Sequence, residues 1–429
     1  MRKIICLPGD ILPEPNNLNK DTKYILLYSK PDKRYGKRVG YIAPSLKNDV
    51  LQAGINPTEE VWDFTTIALS VIAADFSLLR KKSADGWTRE IELTIHLNDV
   101  QKWNLVKEKL EKTLRFLTGD FWFLIFKDIG VPTPSIKKVI QYDCDCVSLL
   151  SGGLDSLTGG IDLISDGHKP LFVSQTVRGD GEKQVKFAEK LTIKGNYFQW
   201  SHKFHQPGVE KETSTRSRSI IFFAYAALAS CGIRQENKPV PIYVCENGFI
   251  SLNIPSTILR SGSFSTKTTH PVYMTGIQNI WNTVGIHAEL LFPYRYKTKG
   301  ELLCECKNQK LLKEIAFRST SCGKFLRNES KHCGRCVPCL VRRAAFYYAK
   351  LTDNTQYRFD DLKKAGRMSG ADDLNSIELA CIQIEKYGLD HFISGNLSFA
   401  TPTERKLYVR VVEQGYKELC TFLHAKGVL

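Results

Sequence analysis

Hydrophobic positions change their period along the chain. Tyr24-Ile-Leu-Leu-Tyr28 is a short apolar run, and Arg89 to Leu97 alternates polar and apolar residues, the two-residue period of a half-buried strand. Between them, Val61 to Leu79 repeats its apolar residues at helical spacing. Val100 to Leu117 does so again through Trp103, Leu105, Leu110 and Leu114. Phe121-Trp-Phe-Leu-Ile-Phe126 is a further strand whose aromatics read as core. Val131-Pro-Thr-Pro-Ser135 follows as a linker. These features predict a separate N-terminal α+β domain over residues 1–140.

From Cys144 onward, strands alternate with helices. The strands are Val147–Leu150, Leu171–Gln175, Tyr197–Trp200 and Pro241–Cys245. The helices start after Gly153, at Glu182 following a Gly-rich turn, and at Thr215, the last opening with Arg216 and Arg218 and closing at Gly232. Such alternation predicts an open parallel sheet, which binds ligands at the carboxyl ends of its strands. That edge collects Ser151 to Ser156, Gln175 and Glu246-Asn247-Gly248. Beyond Phe249 comes a loop-rich region with Pro255, Gly262, Ser263 and the polar run Ser265 to His270, which reads equally as a cover for an anionic substrate or as exposed loop. The sheet-bearing unit is bounded at 141–350, and 351–429 reads as a helical extension.

Composition narrows the class. At 429 residues, 42% hydrophobic and 24% charged, the chain can bury a substantial core. Its first apolar run is too short for a signal peptide. The longest, Ser219 to Ile233, falls short of a membrane span and is flanked by Arg218 and Arg234, so a buried helix is expected. Thirteen cysteines without a secretory signal point to a reducing compartment, hence the cytoplasm. The formal net charge of +15 allows nucleic-acid binding. Its basic residues are spread through loops, as at Lys30, Lys33, Arg34, Lys37, Arg38, Lys81 and Lys82, so a solvated basic surface accounts for them as well and nucleic acid is not favoured.

The candidate chemistry starts at Ser151-Gly152-Gly153-Leu154-Asp155-Ser156. A strand that breaks at two glycines and restarts as a helix presents free backbone N–H groups, a site for anions and for polyphosphate in particular. No Lys-Ser or Lys-Thr pair follows, so this is not a Walker loop. Asp155 beside phosphates calls for a bridging divalent cation, for which magnesium suits. Cys322, Cys333, Cys336 and Cys339 form a C-x10-C-x2-C-x2-C knuckle. Four thiolates saturate a tetrahedral ion, which predicts structural zinc, with an iron–sulfur cluster left open by spacing alone. The C-x-C pairs Cys144/Cys146 and Cys304/Cys306 read as packing.

Ser151 to Ser156 is similar to the SGGxDS signature of the PP-loop ATP pyrophosphatase superfamily, whose members cut ATP between the α and β phosphates. Together with the four cysteines, Gln175, Arg218 and the basic Leu340-Val-Arg342-Arg343, the stretch from Cys144 to Lys350 resembles the QueC family, the 7-cyano-7-deazaguanine synthases. The flanks depart from that family: Asp85-Gly-Trp-Thr-Arg89, Leu117-Thr-Gly-Asp-Phe-Trp122 and the C-terminal helices look like the long QueC-like proteins of bacterial anti-phage operons, the QatC branch. The first cysteine spacing is also longer than the family's, and Glu246-Asn247-Gly248 stands in place of its usual acidic strand end.

The resemblance implies a PP-loop (adenine nucleotide alpha hydrolase-like) α/β fold with a zinc knuckle. It also implies an ATP-dependent, carbon–nitrogen bond-forming ligase with ATP, Mg²⁺ and Zn²⁺. Asp155, Ser156, Arg218 and Lys299 take catalytic roles, and Ser151, Gly152, Gly153, Leu154, Asp155, Ser156 and Gln175 hold the nucleotide. Lys299 lies in Phe292-Pro-Tyr-Arg-Tyr-Lys-Thr-Lys299, which resembles the threonine-lysine segment of PP-loop enzymes. The implied substrate is 7-carboxy-7-deazaguanine, converted to the amide and nitrile or attached to an amine of a partner protein from a defence operon. A homo-oligomer is compatible with this assignment. Two alternatives stand beside it: a PP-loop enzyme that adenylates a tRNA base, and a non-catalytic scaffold keeping nucleotide and zinc sites for assembly.

Overall fold

A computed structural model describes residues 2–176, 181–191, 195–208, 210–234, 238–256, 267–393 and 395–429. Gly262, Ser263, Ser265 and Thr266 of the polar region, and Arg178 to Asp180 of the turn before Glu182, lie outside the described residues. The strands are Arg2–Leu7 (β1), Thr22–Leu27 (β2), Val39–Ile42 (β3), Glu90–His96 (β4), Phe121–Lys127 (β5), Cys146–Leu149 (β6), Pro170–Gln175 (β7), Tyr197–Trp200 (β8), Phe204–His205 (β9), Val240–Tyr243 (β10) and Ala288–Leu291 (β11). They form a six-stranded sheet of order β5-β4-β1-β2-β3-β9 and a five-stranded sheet of order β11-β10-β6-β7-β8.

Helices connect and cover these sheets. In the first unit they are Leu46–Gln52 (α1), Glu59–Ser77 (α2), Val100–Asn104 (α3) and Lys107–Thr118 (α4). Leu154–Ser165 (α5), Gly181–Leu191 (α6), Ser219–Ser230 (α7), Gly248–Leu252 (α8), Pro271–Val284 (α9), Lys299–Cys304 (α10), Gln309–Ile315 (α11) and Val337–Tyr348 (α12) belong to the second. Leu362–Ala365 (α13), Asp372–Tyr387 (α14), Asp390–Ile393 (α15) and Pro402–Ala425 (α16) make the helical C-terminus.

The second sheet is all parallel, as the alternation predicts. The N-terminal unit corrects its expectation: β1 to β5 pair in parallel as well, so it is α/β rather than α+β. Parallel neighbours need crossovers, and α1–α2 and α3–α4 supply them around β4. The alternation of β4 is that of a half-buried strand. It arises because one face of this parallel sheet is fully covered and the other only partly. The single helix expected over Val100–Leu117 is broken at Leu105, which is 76% exposed while Trp103 is fully buried.

The two sheets share a core. Helix α2 packs on the first sheet and α7 on the second, and the two helices pack on each other; α4 and α9 repeat the arrangement beside them. One hydrophobic cluster runs from Ile4 and Ile25 through Phe64 and Ile67 to Phe223, Val147 and Leu171. Helix α7 is apolar on every side, the composition of a helix buried on every side. No described helix is long and apolar enough to cross a membrane.

A buried ionic cluster joins the units at the start of α7. Asp75 of α2 accepts from Arg89 at 2.5 Å, from the backbone N–H groups of Arg216 and Ser217 at 2.8 Å, and from the Ser217 hydroxyl at 2.7 Å. Helix α7 therefore begins at Ser219 rather than Thr215, because the preceding amides are turned onto Asp75. Arg80 and Arg89 also share Asp120, so the two N-terminal motifs around Arg89 and Asp120 meet in this cluster.

Candidate functional site

Strand β6 ends at Leu149 and α5 starts at Leu154. Between them Gly152 lies at φ +86°, a conformation open to glycine. Gly153 is the N-cap of α5 and brings no side-chain cap, so the helix start faces outward with its donors available to an anion. The loop is held from inside. Ser151 Oγ accepts from Gly153 N–H at 3.2 Å and lies 3.0 Å from Ser156 Oγ, which donates to the Gly153 carbonyl at 3.1 Å. Gln184 Nε2 ties the Ser151 carbonyl to that of Gln175, at 3.0 and 3.1 Å, and Thr320 N–H donates to the Gly152 carbonyl at 2.9 Å.

Asp155, in the first turn of α5, is 3% exposed. One carboxylate oxygen accepts from Lys299 Nζ; the other accepts from Asn247 Nδ2 at 2.6 Å and its backbone N–H at 3.3 Å. Burial would raise the Asp155 carboxyl, but the Lys299 ammonium and the hydrogen bonds outweigh it and hold it at about 2. Glu246, hydrogen-bonded to Asp155, is pushed far above the ordinary carboxylate range by burial and then by the Asp155 charge. The two carboxyls thus shift in opposite directions, Asp155 down and Glu246 up.

A cleft of about 230 Å³ opens over this cluster, lined by Ser151, Asp155, Ser156, Glu246, Lys299 and Thr320 among others. Gly153 and Leu154 also line it, with Gly152 in the turn behind. Gln175 and Arg218 do not. Gln175 is buried at the end of β7, where its amide meets His202 Nδ1 at 3.0 Å, and Arg218 Nε reaches its Oε1 at 3.4 Å. Asn247, Gln184, Thr320 and Ser321 were not singled out from sequence as site residues. Asn247 was visible at the strand edge, and Ser319-Thr320-Ser321 as a hydroxyl run before Cys322, whereas nothing in the pattern marks Gln184.

Beside the cleft, the sulfurs of Cys322, Cys333, Cys336 and Cys339 lie within 4.8 Å of one another. Two of the separations, Cys333–Cys339 and Cys322–Cys336, are 3.9 Å. A tetrahedral ion with Zn–S bonds of about 2.3 Å holds its ligands about 3.8 Å apart, so four thiolates here fit one ion. An iron–sulfur cubane spreads its cysteines over separate irons and sets them wider. Backbone N–H groups of Lys324, Cys333 and Cys336 donate to the sulfurs at 3.2–3.4 Å, as suits thiolate charge. The knuckle adjoins the loop: Ser321 N–H donates to His332 Nε2, and Pro338 lines the cleft. Asp145, Cys146 and His168 also converge, but His168 Nδ1 and Asp145 already pair at 2.9 Å and need no ion.

Over 77 residues the chain is 34% identical to 7-cyano-7-deazaguanine synthases of Brucella ovis, Brucella canis and Brucella suis. That stretch is 18% of this chain and 31% of theirs, so the similarity covers less than a third of these relatives. No protein-family model and no solved structure matches the chain.

Proposed function

We propose that the chain uses ATP to activate a carboxylate of the 7-carboxy-7-deazaguanine type and joins it to nitrogen. The observation that carries this reading is the uncapped start of α5, which faces the same cleft as the Ser151 and Ser156 hydroxyls and the buried Lys299–Asp155 pair. The partial similarity to 7-cyano-7-deazaguanine synthases supports the substrate class.

In this reading the triphosphate lies over the start of α5, its outer phosphates taken by loop N–H groups and hydroxyls. Lys299 offsets charge as it builds on the leaving group. A substrate carboxylate oxygen attacks the α-phosphorus, the bond to the bridging oxygen breaks, and pyrophosphate departs with that oxygen. An amine nitrogen then attacks the acyl carbon and AMP leaves with the former carboxylate oxygen, the extra proton passing to solvent. Asp155 and Glu246, two carboxylates in hydrogen-bond contact at the cleft wall, are the residues that would hold a hard divalent cation. Magnesium there would supply positive charge against the departing pyrophosphate. Zinc on the four cysteines would be structural, with no ligand position left for substrate.

The nitrogen is that of ammonia, giving an amide that a second activation dehydrates to the nitrile, or that of an amine on a partner protein. The anti-phage branch implies the second destination. Incubation with ATP, magnesium and 7-carboxy-7-deazaguanine should release pyrophosphate, and Asp155→Ala should lower the rate ~100-fold or more. An unchanged rate in the variant sinks the assignment. Mass spectrometry of co-purified proteins then separates the two nitrogen sources.

One groove favours a second reading, adenylation of a tRNA base. Lys183, Lys186, Arg318 and Lys331 line a space of about 440 Å³ together with Phe317 and Phe325, and no acidic side chain is among its described walls. Lys183 donates to Thr320 Oγ1 at 2.8 Å, so groove and cleft share a wall. Salt-dependent tRNA binding that weakens on charge reversal of Lys186 and Lys331 would support this reading; tRNA binding indifferent to both would exclude it.

A further inference from the structure

The C-terminal extension does not lie apart from the cleft. Helix α16 crosses the segment 295–301 that delivers Lys299, and it holds that segment at several points. Glu418, 4% exposed, accepts from the Thr298 hydroxyl and, at 3.2 Å, from the backbone N–H of Gly300, the residues on either side of Lys299. A Cβ on Gly300 would stand 2.6 Å from the Glu418 carboxylate, so glycine is what lets that carboxylate reach the backbone. Arg410 donates to Glu301 and to the Tyr296 carbonyl, and Arg295 donates to the Tyr408 hydroxyl at 2.6 Å.

The same helix braces the other arm on Asp155. Gly415 lies against Phe249, where a Cβ would come within 2.2 Å of the ring, and Tyr416 packs edge-on to Phe249 at 5.4 Å. Phe249 belongs to α8, whose N-cap is Asn247. Asn247 and Lys299 are both donors to Asp155, so both rest on α16 from behind.

The capping box of Thr298 and Glu301 at the start of α10 takes the N–H groups of those two residues and leaves that of Gly300 to Glu418. That one donor does not call for a charged partner: a buried carboxylate costs desolvation, and burial raises Glu418 to about 7 against the hydrogen bonds it accepts. What it adds is a fixed height and rotation for the turn that carries Lys299.

We infer that Glu418 is a positioning residue, which acts through Thr298 and Gly300 to hold Lys299 at the phosphate end of the cleft, so that the C-terminal helix completes the ATP site. This inference rests on the ATP reading above. It assigns part of that site to the extension, a region the sequence marks only as helical.

A double-mutant cycle tests it, reading KM for ATP and kcat of pyrophosphate release in the full chain. Glu418→Ala should lower kcat/KM by about tenfold or more, Glu418→Gln, which keeps the volume and one acceptor, by less, and Glu418→Ala should add almost nothing in a Lys299→Ala background. A merely structural role would instead multiply the two losses. Unchanged zinc content and near-ultraviolet dichroism check that each variant is folded; should Glu418→Ala fail to fold, the cycle is run with Glu418→Gln. Additive losses, or a Glu418 variant equal to wild type where Lys299→Ala is impaired, overturn the brace alone. An inert wild-type chain, or a Lys299→Ala variant equal to it, overturns the ATP reading and the brace together.

Discussion

At the scale of single residues, Asp155 has two separable roles. It is the counterion of a buried ammonium, with the two side chains 4% and 7% exposed, and it faces the cleft. Removing one member of a buried ion pair leaves the other charge without compensation, at about 3–5 kcal/mol, whereas an apolar or neutral replacement of both is far milder. Asp155→Asn should therefore lose about that much stability in urea unfolding while keeping its contact to Asn247. Adding Lys299→Met should restore most of the loss, yet pyrophosphate release should stay absent. Activity recovered along with stability would show that the pair only holds the fold. Asp155 was legible because its motif is local. Glu418 was not, since its meaning depends on a contact between residues far apart in sequence, and a lone glutamate in an amphipathic helix carries no such signal.

Among the elements, α9 shows how a local reading goes astray. His270 stands in a run of hydroxyls that looks like exposed loop, yet it is buried, packed between Phe116 and Phe399 with both ring centroids at 4.9 Å. It is the N-cap of α9: Nδ1 accepts from Val272 N–H at 3.2 Å, which requires a neutral ring. Burial, and then the Lys267 charge, lower it from 6.5 to about 4. The unfolded chain binds a proton as pH falls from 6.5 towards 4 while the folded chain does not, so His270 subtracts stability across that window, on the order of 3 kcal/mol at its foot. His270→Asn keeps an N-cap acceptor and removes the titration. The variant should lose less stability than wild type between these pH values in urea unfolding; equal losses would place the proton elsewhere. Strands β2, β4 to β8 and β10, with α2 and α5 to α7, were legible because their periods are strong; β1, β3, β9 and β11 were not singled out. Strand direction was not legible: alternation in β4 reports how its faces are covered, and a half-covered parallel sheet writes the same pattern as an antiparallel one.

For the whole molecule, the boundary expected at residue 140 separates β1–β5 from the second sheet but divides no core. The linker after Val131 is real in composition, but the helices on either side of it bury one continuous cluster, and β9 of the later chain pairs with β3 of the earlier one. A residue-by-residue pattern cannot show that α7, apolar all round, has a second sheet's helices as its other neighbour. Asp75 is where this joint is most exposed to test, because it neutralises Arg89 in the first unit and receives the amides that start α7 in the second. Burial would raise its carboxyl, but the arginine and these hydrogen bonds lower it overall, so its contribution is present at neutral pH and is lost as pH falls through the depressed value. Asp75→Ala strands Arg89 on Asp120 and leaves the α7 amides bare, at about 3–5 kcal/mol. If the chain unfolds as one unit, the midpoint in urea should fall by the same amount whether followed by tryptophan fluorescence, which samples Trp62 and Trp103 beside the first sheet and Trp200 and Trp281 beside the second, or by loss of ATP-dependent pyrophosphate release. A shift in fluorescence with the activity midpoint unmoved would mean that the second sheet stands without its neighbour, and that the shared helical layer is a contact rather than a core.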